Sequence, residues 1–70
     1  MQQNTNEYIV FSNFIKDNKE AVVIKHRASG SWGVVLKEEG RPDFTEYYPK
    51  HSENWAENCA ENFVEGIKVL

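Results

Sequence analysis

The sequence predicts a small soluble α+β domain, in which an antiparallel sheet of three to four strands packs against one C-terminal amphipathic helix. Three observations indicate this fold. Two β-rich segments flank a short glycine loop, an aromatic segment follows a Gly-Pro turn, and a four-residue repeat fills the C-terminal region. The 70 residues suffice for one domain. We expect a single domain over residues 1–70, with residues 1–6 as a flexible tail.

The first segment, residues 8–15, is rich in β-branched and aromatic side chains, which favours a strand. A helix stays open as an alternative, because Tyr8, Phe11 and Ile15 also have helical spacing and Thr5 could cap it. The polar residues 16–20 contain Asp17-Asn18, which is typical of a turn.

The central hairpin is predicted from residues 21–28 and 32–38, joined by the loop Ser29-Gly30-Ser31. Each strand alternates so that one face is apolar and the other becomes charged toward one end. This pattern is typical of a sheet that is covered on one side only. After a Gly-Pro turn at residues 39–43, we expect a further strand at residues 44–48, ended by Pro49.

The C-terminal segment, residues 52–67, predicts a helix with Ser52 as its N-cap. The helix either ends with Gly66 at the position after the C-cap or continues through it. Its apolar residues fill about half of the helix circumference at about 100° per residue. They are Trp55, Ala56, Cys59, Ala60, Phe63, Val64 and Ile67. We therefore expect Trp55, Cys59 and Phe63 to point into the core.

Composition and motifs predict a protein without catalytic activity, metal or cofactor. The single cysteine excludes an intramolecular disulfide, and His26, His51 and Cys59 have no metal-ligand spacing. The chain contains no phosphate-binding loop or nucleophile elbow. No apolar stretch approaches the ~20 residues of a membrane span, and no signal peptide is recognisable. We expect a cytoplasmic protein, in the host cytoplasm if a phage encodes it.

The net charge of −3 is distributed unevenly along the chain, because residues 1–35 carry +1 and residues 36–70 carry −4. Four glutamates recur at every fourth helical position, about 6 Å apart along the axis. We assign the candidate partner-binding residues to this acidic column, its asparagine neighbours and two acids before the helix. They are Glu53, Glu57, Glu61, Glu65, Asn54, Asn58, Asn62, Asp43 and Glu46.

The first functional hypothesis is a non-catalytic protein-binding module. Its acidic column would imitate a phosphate backbone and cover a basic surface on a larger protein or protein–nucleic-acid complex. Small acidic domains of this kind are typical of phage and mobile-element inhibitors that act against host defence. The alternative is that the acidic column is only a solvated helix face.

A second hypothesis is a small nucleic-acid-binding regulator that uses Lys25, Arg27, Trp32 and Lys37. Three strands followed by a helix resemble the topology of double-stranded-RNA-binding domains and of the arm-type domains of phage integrases. The start of this helix reads Ser52-Glu53-Asn54, where the RNA-binding family carries lysines. A third hypothesis is a homodimeric structural protein whose exposed sheet face is its self-contact.

Overall fold

A computed structural model describes residues 7–67 and contains one antiparallel sheet and one helix. The strands follow one another in the order β1-β2-β3-β4. The elements are β1 (Tyr8–Lys16), β2 (Lys19–His26), β3 (Trp32–Glu38), β4 (Phe44–Tyr48) and α1 (Glu53–Val64). The predicted α+β class is confirmed, and the first segment is a strand rather than a helix. The expected tail and the Thr5 cap fall outside the described residues.

Two local features of β1 and β2 differ from the prediction. β2 begins two residues earlier and ends at His26, because the Gly30 N–H donates to the His26 carbonyl and closes the following turn. β1 contains a β-bulge between Val10 and Ser12, which inserts Phe11 as an extra residue. Because of the bulge, Phe11 and Phe14 both lie on the face of the sheet that carries the helix, although they are three residues apart.

The main core lies between α1 and one face of the sheet. It is formed by the helical residues Ala56, Ala60, Phe63 and Val64 and by the strand residues Ala21, Val23, Val34 and Leu36. Two fully buried alanines, Ala56 and Ala60, line the inner face of the helix. Because alanine has a small side chain, the helix axis can lie close to the strands.

The predicted inward direction of Trp55 is wrong. Its side chain is 45% exposed, whereas Phe63 is 1% exposed, and Cys59 is half-buried. The buried face is centred on the alanines, so Trp55 lies on a flank of the helix rather than beneath it. Ile67 is also exposed, because it follows the last helical residue.

The helix ends as one of the two predicted alternatives describes. Gly66 has φ +86°, its N–H donates to the Phe63 carbonyl, and the Ile67 N–H donates to the Asn62 carbonyl. These two bonds form a Schellman motif that satisfies otherwise unpaired carbonyls. At the other end, Ser52 has the extended backbone of an N-cap, but its side chain makes no capping hydrogen bond.

Among residues 7–67, no helix packs on the opposite face of the sheet, which is called the open face below. Its centre is a second apolar cluster of Val22, Ile24 and Val35, against which Tyr8 and Tyr47 pack. Within residues 7–67, no helix is long and apolar enough to cross a membrane.

Candidate functional site

Five aromatic side chains lie on the helix side at one end of the sheet, in two groups of contacting rings that are together called the aromatic strip below. It consists of Phe11, Trp32, Tyr48, His51 and Trp55. Phe11 meets Trp32 edge-on with ring centroids 4.7 Å apart, and Trp32 and Tyr48 are register partners on neighbouring strands. Tyr48 lies 6.5 Å from Trp55, and the Trp55 and His51 rings stack at 4.0 Å and 11°.

Local structure explains why these rings converge. Trp32 is the first residue of β3 and Tyr48 is the last residue of β4, so both lie at the same end of the sheet. The His51 N–H donates to the Tyr48 carbonyl, and this turn places His51 beside the first helical turn. Trp55 therefore projects from the helix toward rings supplied by the strands.

The aromatic strip is accessible along its length. Phe11 is 49% and Trp55 is 45% exposed, while Trp32 and Tyr48 are half-buried against the core. The Lys25 Nζ lies 5.3 Å from the centroid of the Trp32 ring, in a cation–π arrangement. The strip thus combines rings fixed by the core with rings that present apolar surface to solvent.

Tyr48 anchors the strip through its hydroxyl group. The Tyr48 hydroxyl donates to Glu46 Oε1 at 3.0 Å. Burial raises the pKa of Tyr48 above its usual value, and its hydrogen bonds with Cys59 and Glu46 raise it further. The hydroxyl therefore stays protonated as a donor, and the predicted site residue Glu46 acts here as its acceptor.

The acidic column does not form a straight edge of the helix. Glu53 and Glu57 are half-buried, whereas Glu61 and Glu65 are exposed. Every fourth residue advances by about 40° around a helix with 3.6 residues per turn, so the column moves from the sheet side to the solvent side. The outer face is shared with three exposed amides, those of Asn54, Asn58 and Asn62.

Only part of the predicted acidic set is neutralised by ion pairs. Glu65 Oε1 lies 2.6 Å from the Lys16 Nζ, and Asp43 Oδ2 lies 3.1 Å from the Lys37 Nζ. Glu53, Glu57 and Glu61 form no ion pair within residues 7–67. In the same range, no three His, Cys, Asp or Glu side chains are arranged to hold a metal ion.

The basic residues of the alternative site are divided by the fold. Lys25 and Trp32 lie together on the helix side. Lys37 lies on the open face beside Asp43, because it is five positions after Trp32 on the same strand and an odd offset changes the face. Arg27 follows β2, and its N–H donates to the Glu7 carbonyl.

Sequence reasoning missed Phe11, Tyr48, His51 and Trp55 as members of one surface. By its spacing, Trp55 belongs to the apolar side of the helix. Only its contacts with Tyr48 and His51 show that it lies at the edge of the buried face. An available signal was the position of Trp32 at the start of β3 and of Tyr48 at the end of β4, which places two aromatic residues at the same end of the sheet.

Comparisons with known proteins give no relative from which a role could be transferred. No protein-family model matches the sequence, and searches of curated proteins and of solved structures return no significant match.

Proposed function

We propose that this chain is a non-catalytic protein-binding module whose helix side contacts a basic surface of a larger protein or protein–nucleic-acid complex. The observations that carry the proposal are the half-exposed aromatic strip and, on the other flank of the helix from Trp55, three glutamates that have no ion-pair partner within residues 7–67.

The aromatic strip has the composition and rigidity of a binding hot spot. Tryptophan and tyrosine are enriched among the residues that contribute most to protein interfaces. The Phe11–Trp32 and His51–Trp55 contacts hold the exposed rings in place before binding. Because little side-chain freedom remains to be lost, more of the contact energy is available for affinity.

The charges of the helix favour a basic partner. Glu53, Glu57 and Glu61 form no ion pair within residues 7–67, and Glu61 is exposed. An arginine-rich surface could place guanidinium groups against these carboxylates and over the exposed aromatic rings. The Lys25–Trp32 contact is an example of such a cation–π arrangement within this chain.

A narrower form of the proposal concerns the role of the module in a cell. Carboxylates that recur about 6 Å apart along a helix approach the spacing of phosphates in an extended nucleic-acid strand. We propose that the protein is a small phage or mobile-element inhibitor that acts in the cytoplasm of the host by occupying a nucleic-acid-binding surface. Its size and acidity support this form by analogy.

The test is affinity capture from a bacterial lysate with matched baits. The baits are the wild-type protein, Trp55→Ala, the double variant Glu57→Lys/Glu61→Lys, and the control Glu7→Lys/Glu39→Lys. The control makes the same charge change at exposed positions away from the helix. We expect one partner to be captured by the wild type and the control and to be reduced at least tenfold with the other two baits.

Equal capture by all four baits would overturn the proposed surface. The nucleic-acid alternative is tested with a labelled single-stranded oligonucleotide at low salt. Under the proposal, the oligonucleotide does not bind. Binding that is lost in Lys25→Ala would instead support the second hypothesis, because phosphate contacts depend on the cation.

A further inference from the structure

We propose that the open face of the sheet packs against the same face of a second copy, giving a symmetric homodimer. The two-fold axis would run parallel to the strands between β2 and β3. This inference does not depend on the proposed function, because it concerns the face opposite the aromatic strip.

The open face has an apolar centre with exposed apolar side chains beside it. Val22, Ile24 and Val35 are between 0% and 9% exposed, because neighbouring side chains that include Tyr8 and Tyr47 pack against them. Val10 lies on this face as the register partner of Ile24 and is 54% exposed. Exposed valine next to a buried cluster is the arrangement that a second layer would complete.

The size of the open face suits a small dimer interface. Its four strands contain five to nine residues each and lie about 4.8 Å apart, so the face measures about 19 × 25 Å. Two such faces would bury roughly 1,000 Å² in total, which is near the lower limit of specific interfaces. The open face is therefore large enough for a dimer of modest affinity.

The charges of the open face are complementary to themselves. Glu20 and Lys37 are register partners on β2 and β3 at the same end of the sheet, where Lys37 also pairs with Asp43 and Glu20 accepts a hydrogen bond from the Asn13 amide. A two-fold axis parallel to the strands places β2 opposite β3 of the second copy. Each Glu20 then faces Lys37 of the other copy, and the reciprocal contact repeats the pairing.

The same symmetry matches the remaining rows of the open face. Val22 and Val35 are register partners, so the axis places Val22 of each copy opposite Val35 of the other copy. One row further along, Val10 on β1 comes opposite Tyr47 on β4, an apolar side chain against an aromatic ring. Apolar groups thus meet apolar groups while the Glu20–Lys37 row meets its opposite charge.

The helix side cannot provide this self-contact as well. It carries Glu53, Glu57 and Glu61 without ion-pair partners within residues 7–67, and a second copy would bring like charges together. In the proposed dimer, both aromatic strips remain on the outside, so the dimer presents two copies of that surface.

The first experiment measures mass by sedimentation equilibrium from 1 µM to 1 mM, a range that spans common dimer affinities. The 8.1 kDa chain should show twice its mass at the upper end. Val10→Lys should raise the dissociation constant at least 100-fold. The neighbouring Ile9→Lys, on the other face of β1, should leave it within threefold. A wild-type monomer at 1 mM, or an unchanged constant in Val10→Lys, would overturn the proposal.

The second experiment tests the axis by mixing two charge variants. Glu20→Lys leaves two lysines in the row, and Lys37→Glu leaves two glutamates, so each variant alone should be monomeric. An equimolar mixture should form a heterodimer, because every contact across the axis then joins opposite charges. Each variant dimerising alone as strongly as the wild type, or a mixture that stays monomeric, would exclude this arrangement. Circular dichroism of each variant establishes that it is folded.

Discussion

The Tyr47 ring lies directly against Gly33, its register partner on the neighbouring strand. A Cβ atom added at Gly33 would lie 2.7 Å from Tyr47 Cδ1 and 2.5 Å from the Glu46 carbonyl oxygen. The missing side chain of the glycine is therefore the space that the aromatic ring occupies. This contact explains how Gly33, the second residue of β3, is buried on the open face.

We predict that Gly33→Ala destabilises the protein by about 1–3 kcal/mol, because the added methyl group meets backbone as well as ring atoms. The measurement is urea unfolding followed by tryptophan fluorescence. Thr45→Ala, at an exposed position of the adjacent strand, is the control for altering this hairpin and should cost less than the glycine variant. An unfolding midpoint of Gly33→Ala equal to that of the wild type would show that the ring does not lie on the glycine.

The two alanines of α1 lead to a second prediction. Ala60 is fully buried between the helix and the sheet, so Ala60→Leu inserts a side chain where none fits and should cost about 1–3 kcal/mol. Asn58→Leu places the same side chain on the exposed face of the helix and should change stability by less than about 0.5 kcal/mol. Equal midpoints of the two variants in thermal unfolding would contradict the close packing of the helix.

The course of the chain could be predicted from the sequence because local signals agree with the fold. Alternation in β2 and β3, the turn residues Asp17-Asn18 and the glycine at position 66 each act within a few residues. Which side of the helix faces the sheet was harder to predict from the sequence. Trp55 belongs to the apolar arc, but the inner face is set by tertiary packing around Ala56 and Ala60.

Only part of the candidate site could be predicted from the sequence, because the rest depends on tertiary contacts. The glutamate and asparagine columns follow directly from the repeat, and three of the glutamates lack ion-pair partners within residues 7–67. The aromatic strip depends on the strand pairing that brings Phe11 to Trp32 and on the turn that stacks His51 on Trp55. These are contacts between distant segments, which spacing within one segment does not encode.

The third prediction concerns alkaline pH. Burial raises the pKa of Tyr48 above its usual value of 10, so the folded protein keeps the proton that the unfolded chain loses. This contribution to stability is complete below pH 10 and is lost as the pH rises through the folded-state pKa. The wild type should therefore become less stable from about pH 10 upward.

The variant that tests this effect is Tyr48→Phe. At pH 7 it should be less stable by about 0.5–1.5 kcal/mol, because it lacks the hydrogen bond to Glu46. The difference in unfolding free energy between Tyr48→Phe and the wild type should shrink between pH 9 and 11. Some alkaline destabilisation should remain, because burial also raises the pKa of Tyr47. Parallel stability curves over this range would show that Tyr48 ionises equally well in both states.

The last prediction concerns the stability of the helix itself. Glu61 is four residues from both Glu57 and Glu65, and like charges at this spacing destabilise a helix by about 0.2–0.5 kcal/mol per pair. Glu61→Lys replaces both repulsions with attractions and adds a cation near the C-terminal end of the dipole, so it should stabilise the protein by about 1 kcal/mol.

Glu61→Gln separates these contributions, because it removes the repulsions without adding attractions. It should recover roughly half of the stabilisation, and the gain in both variants should decrease at 1 M salt, where the Debye length is only about 3 Å. A loss of stability in Glu61→Lys at low salt would mean that the free carboxylate has a favourable contact. The expected result, together with weaker partner capture by Glu57→Lys/Glu61→Lys, would indicate that the acidic column serves binding at the expense of helix stability.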